Sequence, residues 1–204
     1  TPVASNNFYN PNEQLLSFFG RANYEYGGRY PVSATVRADG SSKFTQGNQW
    51  GIFPSAAASW TISNEGFLKD ASWLNDLNFK VSYGTQGNAS IGDYEHLAII
   101  GTTTDYHESS ATVIGKPSNP GLTWEQQALL TVGFNGRIAH FLDFNIEFYN
   151  RTTSAMLMDV PYNYTTGFDT LYANVGSMEN TGIDLTLGFD ILRGKDYYFR
   201  TQAT

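Results

Sequence analysis

The 204-residue chain has no cysteine, only three histidines and little charge, with Asp, Glu, Lys and Arg making up 15% of it. Without cysteine there is no disulfide, no thiolate nucleophile and no Cys-ligated zinc. Apolar runs are short, the stretch 97–100 being typical, and none approaches the ~20 residues that a membrane-spanning helix needs. No charged n-region and apolar h-region open the sequence, so no secretory leader is expected. The chain stops at Gln202-Ala203-Thr204, directly after strand-like residues, and reads as a fragment. Soluble domains usually carry about a quarter of their residues as charge, so the shortfall points to little ordinary water-facing surface. Twelve basic against 19 acidic residues give a net charge of −7. With no Lys/Arg cluster, a phosphate backbone would be repelled, and nucleic acid is excluded as a partner. No glycine-rich phosphate loop follows a strand and opens a helix, which removes support for nucleotide binding.

What is present is alternation. Tyr30, Val32, Ala34, Val36 and Ala38 share one face of a strand-like segment, and Ser33, Thr35, Arg37 and Asp39 share the other. Trp50, Ile52, Pro54, Ala56, Ala58, Trp60 and Ile62 repeat the pattern. A period of two marks a strand with unlike surroundings on its faces. Strands are expected at about residues 15–26, 29–39, 49–62, 77–84, 123–135, 141–151, 172–191 and 197–204. Short turns (Gly27-Gly28, 136–140, 193–196) alternate with long polar connections (40–48, 85–122, 152–171), the arrangement of an outer-membrane barrel. The segment 63–76 falls where a short turn is due and suggests one or two helical turns.

The greasy faces continue through Phe18, Ala22, Tyr24 and Tyr26, then Leu77, Phe79, Val81 and Tyr83. They go on through Trp124, Ala128, Leu130, Val132 and Phe134, and through Ile183, Leu185, Leu187 and Phe189, without a charge. The opposite faces hold Arg21, Glu25, Arg29, Arg37, Asp39, Lys80, Glu125, Asp143, Glu147, Arg151, Asp184 and Asp190. One face is therefore expected in hydrocarbon and the other along a hydrated lumen, with Arg21, Glu25, Arg37, Asp39, Lys80, Glu125, Glu147 and Arg151 as lumen-facing candidates. Trp50 and Trp60, ten residues apart on one face, would stand roughly 25 Å apart along the membrane normal, as two aromatic girdles do. Trp124 and Phe134 repeat that spacing. Pro54 cannot donate to a ladder and predicts a bulge or break.

Sharper chemistry finds little support. Asp93, Glu95 and His96, and Asp105, His107 and Glu108, are oxygen and imidazole groups in one loop, but no EF-hand or HExxH spacing accompanies them, and no metal site is assigned. Asp143 and Glu147 lie roughly 13 Å apart along one strand, too far for a glycosidase pair, and no enzyme is expected. Tyr106, Tyr162, Tyr164 and Phe168 in the long loops are candidate contacts to a ligand or lid, although loops packing on each other use the same residues. Met156, Leu157 and Met158 suggest a short strand or an apolar patch facing a partner.

Five stretches occur in the order seen in one known family. They are Val36-Arg37-Ala38-Asp39-Gly40-Ser41-Ser42-Lys43-Phe44, Trp50-Gly51-Ile52-Phe53-Pro54-Ser55 and Val81-Ser82-Tyr83-Gly84-Thr85-Gln86-Gly87-Asn88. The others are Asn119-Pro120-Gly121-Leu122-Thr123-Trp124-Glu125 and Asn174-Val175-Gly176-Ser177-Met178-Glu179-Asn180-Thr181-Gly182-Ile183-Asp184-Leu185, with Asp184 where Glu is usual. The chain thereby resembles the barrel region of the SusC/RagA family of TonB-dependent outer-membrane transporters. The resemblance implies an all-β fold, about eight strands of a 22-stranded transmembrane antiparallel barrel, with residues 1–204 as a barrel fragment lacking the plug and the TonB-contact segment. It implies a bacterial outer-membrane location, a SusD-like lipoprotein lid, a TonB complex acting through the missing regions, and import of an oligosaccharide or peptide ligand without a cofactor. A soluble β-sandwich module and a passive porin remain the alternatives.

Overall fold

The computed structural model describes residues 13–68, 71–106, 109–193 and 197–204. Its strands are β1 (Leu15–Tyr26), β2 (Tyr30–Ser41), β3 (Trp50–Thr61), β4 (Leu74–Asn88), β5 (Ile99–Tyr106), β6 (Ser109–Lys116), β7 (Glu125–Ile138), β8 (Leu142–Ser154), β9 (Leu157–Pro161), β10 (Thr170–Asn174), β11 (Ser177–Arg193) and β12 (Tyr198–Ala203). Eight of them form one sheet in the order β1-β2-β3-β4-β7-β8-β11-β12, and every pairing is antiparallel. The β5–β6 and β9–β10 hairpins stand in the two longest connections, at the end opposite the short turns.

The register tests the two-face expectation across neighbouring strands. One row runs Tyr24, Val32, Ala58, Val81, Val132, Phe148, Ile183. The adjacent row runs Ser59, Lys80, Gly133, Glu147, Asp184. A shift of one residue would exchange the faces, so the solvent on each side sets the register. The apolar row lies open, with Ile183 70% exposed. A β-sandwich would bury that face beneath a second sheet; among the described residues no second sheet covers it. The polar face is the concave one: Arg21, Glu25, Ser33, Ser59, Lys80 and Glu147, from five strands, line one trough of about 800 Å³.

Aromatic residues gather at both ends of the apolar face. Phe18 and Trp50 stack at 6.1 Å near the long-loop end. Tyr26–Tyr30 and Tyr30–Trp60 stack at 6.5 and 6.4 Å at the other. There the β1–β2 turn places Gly27 and Gly28 at φ of 60° and 65°, a conformation open to glycine without steric penalty.

Two expectations, the unbroken strand at 172–191 and the inward Arg29, need correction, and two, at Pro54 and at 63–76, become more specific. Pro54 makes no bulge: β3 stays in register with β2 through Val36 and Pro54. Its pairing with β4 instead ends at Ser55, and the Pro54 carbonyl accepts a hydrogen bond from Thr85 Oγ1 at 3.1 Å. The missing N–H therefore points to the side where no ladder continues. The expected strand at 172–191 is split into β10 and β11 by Gly176, at φ 74°. Among the described residues, the connection after β3 holds one 3-10 turn, Ile62–Asn64, as the expected helical turn, followed by a turn closed by a Leu68 N–Glu65 O bond of 3.0 Å. Arg29 belongs to the turn rather than to the inward face and reaches Glu65 beside the outward-facing Tyr30 and Trp60. The turn residues 194–196 lie outside the described residues.

Candidate functional site

The concave wall is built by alternation, and glycines decide which of its side chains meet. Lys80 on β4 and Glu147 on β8 are both in register with Gly133 on the intervening β7. Because Gly133 has no side chain, the two close an ion pair across it, and Asn145 Nδ2 donates to the same carboxylate at 2.9 Å. A Cβ at Gly133 would stand 2.6 Å from the Ile146 carbonyl oxygen and 2.9 Å from Glu147 Cγ. Gly133→Ala is therefore expected to lower stability by about 1–3 kcal/mol through forced displacement of β8. Denaturant unfolding of the protein would measure it, and a midpoint equal to wild type would reject the crossing.

Arg37 Nε donates to both carboxylate oxygens of Asp39 at 2.7 Å. Arg21 donates to Asn23 Oδ1 at 3.1 Å, and Glu25 lines the trough beside it. Arg21 and Arg151 border a strip that includes Ser33, Thr35, Ser55, Ser82, Gln86 and Gln127. Glu125, at the top of β7, is engaged structurally: it accepts from Asn88 Nδ2 and from the Leu157 backbone N–H, each at 3.1 Å. Near the short-turn end, Arg137 pairs with Asp190 and, at 3.6 Å, with Asp143, while Arg200 reaches Asp143 at 3.0 Å. Sequence reasoning placed Arg137 in a turn. β7 in fact extends to Ile138, and parity with Gly133 brings Arg137 inward.

At the long-loop end the wall carries an apolar cluster of Phe44, Phe53, Ile91, Leu122 and Trp124. Trp124 was expected in a lipid-facing girdle; it is instead 5% exposed on the inner side. β7 begins one residue later, at Glu125, so strand parity does not govern Trp124. Its ring packs on Phe44 at 5.3 Å and edge-on to Phe53 at 5.6 Å, and its Nε1 donates to the Gln49 carbonyl at 2.9 Å. Phe53 fills space left by Gly51 and Gly87, where an added Cβ would meet the ring at 2.4 and 2.1 Å. Asparagines stitch the surrounding loops. Asn48 donates to the carbonyls of Pro120 and Leu122 at 3.3 Å, Asn119 to that of Tyr172 at 2.8 Å, and Asn174 to those of Thr123 and Ala155 at 2.8 and 2.9 Å. The stretches at 119–125 and 174–185 thus meet at a junction of three long connections.

Among the loop aromatics, Tyr162 is 42% exposed. Phe168 is half-buried beside Lys116, Asp159 and Asp169. Tyr172 packs against the apolar cluster, with Lys116 Nζ 5.9 Å from its ring centre. The side chains of Tyr106 and Tyr164, together with His107 and Glu108, lie outside the described residues. Leu157 and Met158 fall in β9. Among the described residues, no group of three His, Asp or Glu side chains is placed to hold a metal ion, and His96 Nδ1 instead lies 3.0 Å from the Lys43 carbonyl oxygen.

A family model described as TonB dependent receptor-like, beta-barrel, matches residues 1–204. The chain is 36% identical over 196 residues to a TonB-dependent receptor of Formosa agariphila and covers 19% of it, with 92% of the chain aligned. It is 35% identical over 202 residues to the TonB-dependent receptor SusC of Bacteroides thetaiotaomicron, covering 20% of that protein with 93% of the chain. The chain thus spans about a fifth of the length of these curated relatives. Among solved structures, the RagAB peptide transporter superposes with a TM-score of 0.83 at 38% identity, over 91% of this chain and 21% of that one. The siderophore receptor PirA from Acinetobacter baumannii superposes at 0.63 with 13% identity, over 88% of this chain and 26% of its own, a likeness of fold alone.

Proposed function

The chain belongs to the TonB-dependent receptor β-barrel family, whose members reside in the bacterial outer membrane, and on that premise we propose that it supplies part of the wall and outer rim of a nutrient transporter. The carrying observation is the segregation within one sheet. The convex face is apolar and open, while the concave face is rich in hydroxyl and amide groups, with Glu147, Asp39, Asp143 and Asp190 already held by Lys or Arg. Such a wall offers many weak, exchangeable hydrogen bonds and few free carboxylates, which suits passage of a polar oligomer. The proposed cargo is a glycan or peptide oligomer, admitted under a SusD-like lipoprotein lid and moved with energy from a TonB complex. The names of the relatives, a receptor SusC and a RagAB peptide transporter, support that choice. Relatives named as receptors and transporters also support a non-enzymatic role. Residues 1–204 act in this reading as a barrel segment, with the plug and TonB-contact parts contributed by other regions of the full protein.

The test is growth of a deletion strain on defined oligosaccharides or oligopeptides as the limiting nutrient, with and without the full-length receptor. Restored uptake that vanishes when TonB is deleted, together with a lipoprotein co-isolating with the receptor, is the expected outcome. Uptake that persists without TonB would point to a passive pore and overturn the reading.

A further inference from the structure

At the short-turn end, the connection 62–73 between β3 and β4 is much longer than its counterparts, and its contacts show which side of the sheet it occupies. Tyr30 and Trp60 belong to the convex apolar face, since Trp60 is in register with Phe79 and Tyr30 with Tyr26. Both point their polar tips at Glu65, Tyr30 Oη donating at 2.5 Å and Trp60 Nε1 at 3.0 Å, each to Oε1. Arg29 Nη1 donates to the other oxygen at 2.9 Å. These donors hold the Glu65 carboxyl below its usual range, the Tyr30 hydroxyl first among them. Asn64 Nδ2 meanwhile donates to the Gly28 carbonyl at 3.1 Å. The start of the connection is therefore pinned to the outer rim, next to the stacked Tyr26–Tyr30–Trp60 belt. Two residues beyond Glu65, Phe67 is 73% exposed. At the far end, the Trp73 carbonyl is tied to the Ala139 N–H at 2.6 Å, and the Trp73 ring is 57% exposed.

We propose that residues 62–68 form a foot on the membrane interface, folded over the lipid-facing rim with Phe67 inserted at the headgroup–acyl boundary of the phospholipid leaflet at that end. The occupant argued for Phe67 is lipid because Glu65, two residues before it, is held against the aromatic belt of the apolar face. Aromatic rings with a polar tip settle where one end is dry and the other wet, and Glu65 captures those tips from the wet side. A paired carboxylate is tolerated there because charge near the interface costs far less than charge at the midplane. The inference rests on the membrane-barrel reading, and the experiment separates the two.

The full-length receptor carrying Phe67→Cys, or Ile52→Cys as a lipid-facing control, would be labelled with a bimane fluorophore. Each labelled protein would be reconstituted into phosphatidylcholine vesicles with plain or brominated acyl chains. Loss of bimane emission in brominated vesicles at both positions, with little quenching by aqueous iodide, is expected. Quenching by iodide alone at position 67 would place the connection in water and overturn the foot. Shielding from both quenchers would seat it against protein, with the same consequence. If the Ile52 label also escapes the brominated lipid, the barrel reading itself fails.

Discussion

Val36→Arg is expected to block membrane assembly of the full-length receptor, whereas Ser33→Arg, three residues earlier on the same strand, leaves assembly near wild type. Val36 sits in the middle of β2 on the convex face, 52% exposed and in register with Gly20 on one side and Pro54 on the other. Neither neighbour offers a polar group, and a guanidinium there must reach water past several residues of strand in either direction. Arg at the midplane of a lipid-facing strand costs about 2–4 kcal/mol. That penalty falls on insertion, where a partly assembled barrel has little stability in hand. Ser33 instead lines the concave trough with Arg21, Lys80 and Glu147, so an added cation there meets water and carboxylate. The readout is heat-modifiable migration of each variant extracted from outer membranes. Equal assembly of the two would sink the two-face assignment.

Trp124→Ala should loosen the outer rim while the barrel strands stay paired. The mutation removes a buried indole from between Phe44 and Phe53 and takes away one of the two donors to the Gln49 carbonyl, which keeps the Ser41 N–H. Truncating a buried Trp or Phe typically costs about 3–5 kcal/mol. The loss is local, because the cluster joins the 42–49 and 89–124 connections to β3 and contributes nothing to the lower rows of the sheet. Local opening is read by proteolysis in proportion to its free energy. Cleavage within 42–49 should thus accelerate by about two to four orders of magnitude, at unchanged heat modifiability. Trp124→Phe keeps most of the apolar volume and should fall between the two. A Trp124→Ala rim as protease-resistant as wild type would show that the asparagine ties hold the loops without the cluster.

The alternation was legible because it is a local property of the chain. Parity predicted inward positions for Arg21, Lys80 and Glu147, and the shared row of Tyr24, Val32, Ala58 and Val81 places the apolar positions on one face. Parity holds only while the backbone is extended, and the errors lie where it is not. Trp124 precedes β7 and turns inward. Arg29 occupies a turn and reaches to the outer side. Arg137 was assigned to a turn that is strand. The short strand suggested at Met156–Met158 is β9, but the pairing of β9 with β10 and the β5–β6 hairpin were not anticipated, since the polar, glycine-containing segments 99–116 and 157–174 carry no clear alternation. Phe53 did leave a trace in the sequence, as the one large apolar side chain on an otherwise small or polar face. Its purpose depends on Gly87 and Trp124, 34 and 71 positions further along the chain.

The sequence is enough to say which solvent each face of the sheet meets, because charge on the wrong side carries a penalty at every strand independently of its neighbours. It also determined the end at which turns are short, through glycine pairs and connection length. Tertiary structure is needed to say which groups of the concave face neutralise one another, since Lys80 and Glu147 meet across a glycine on a third strand. It alone placed Trp124 inside the rim and Glu65 against the outer belt, because both are residues between strands. Their positions follow from packing between segments distant in sequence rather than from any local period.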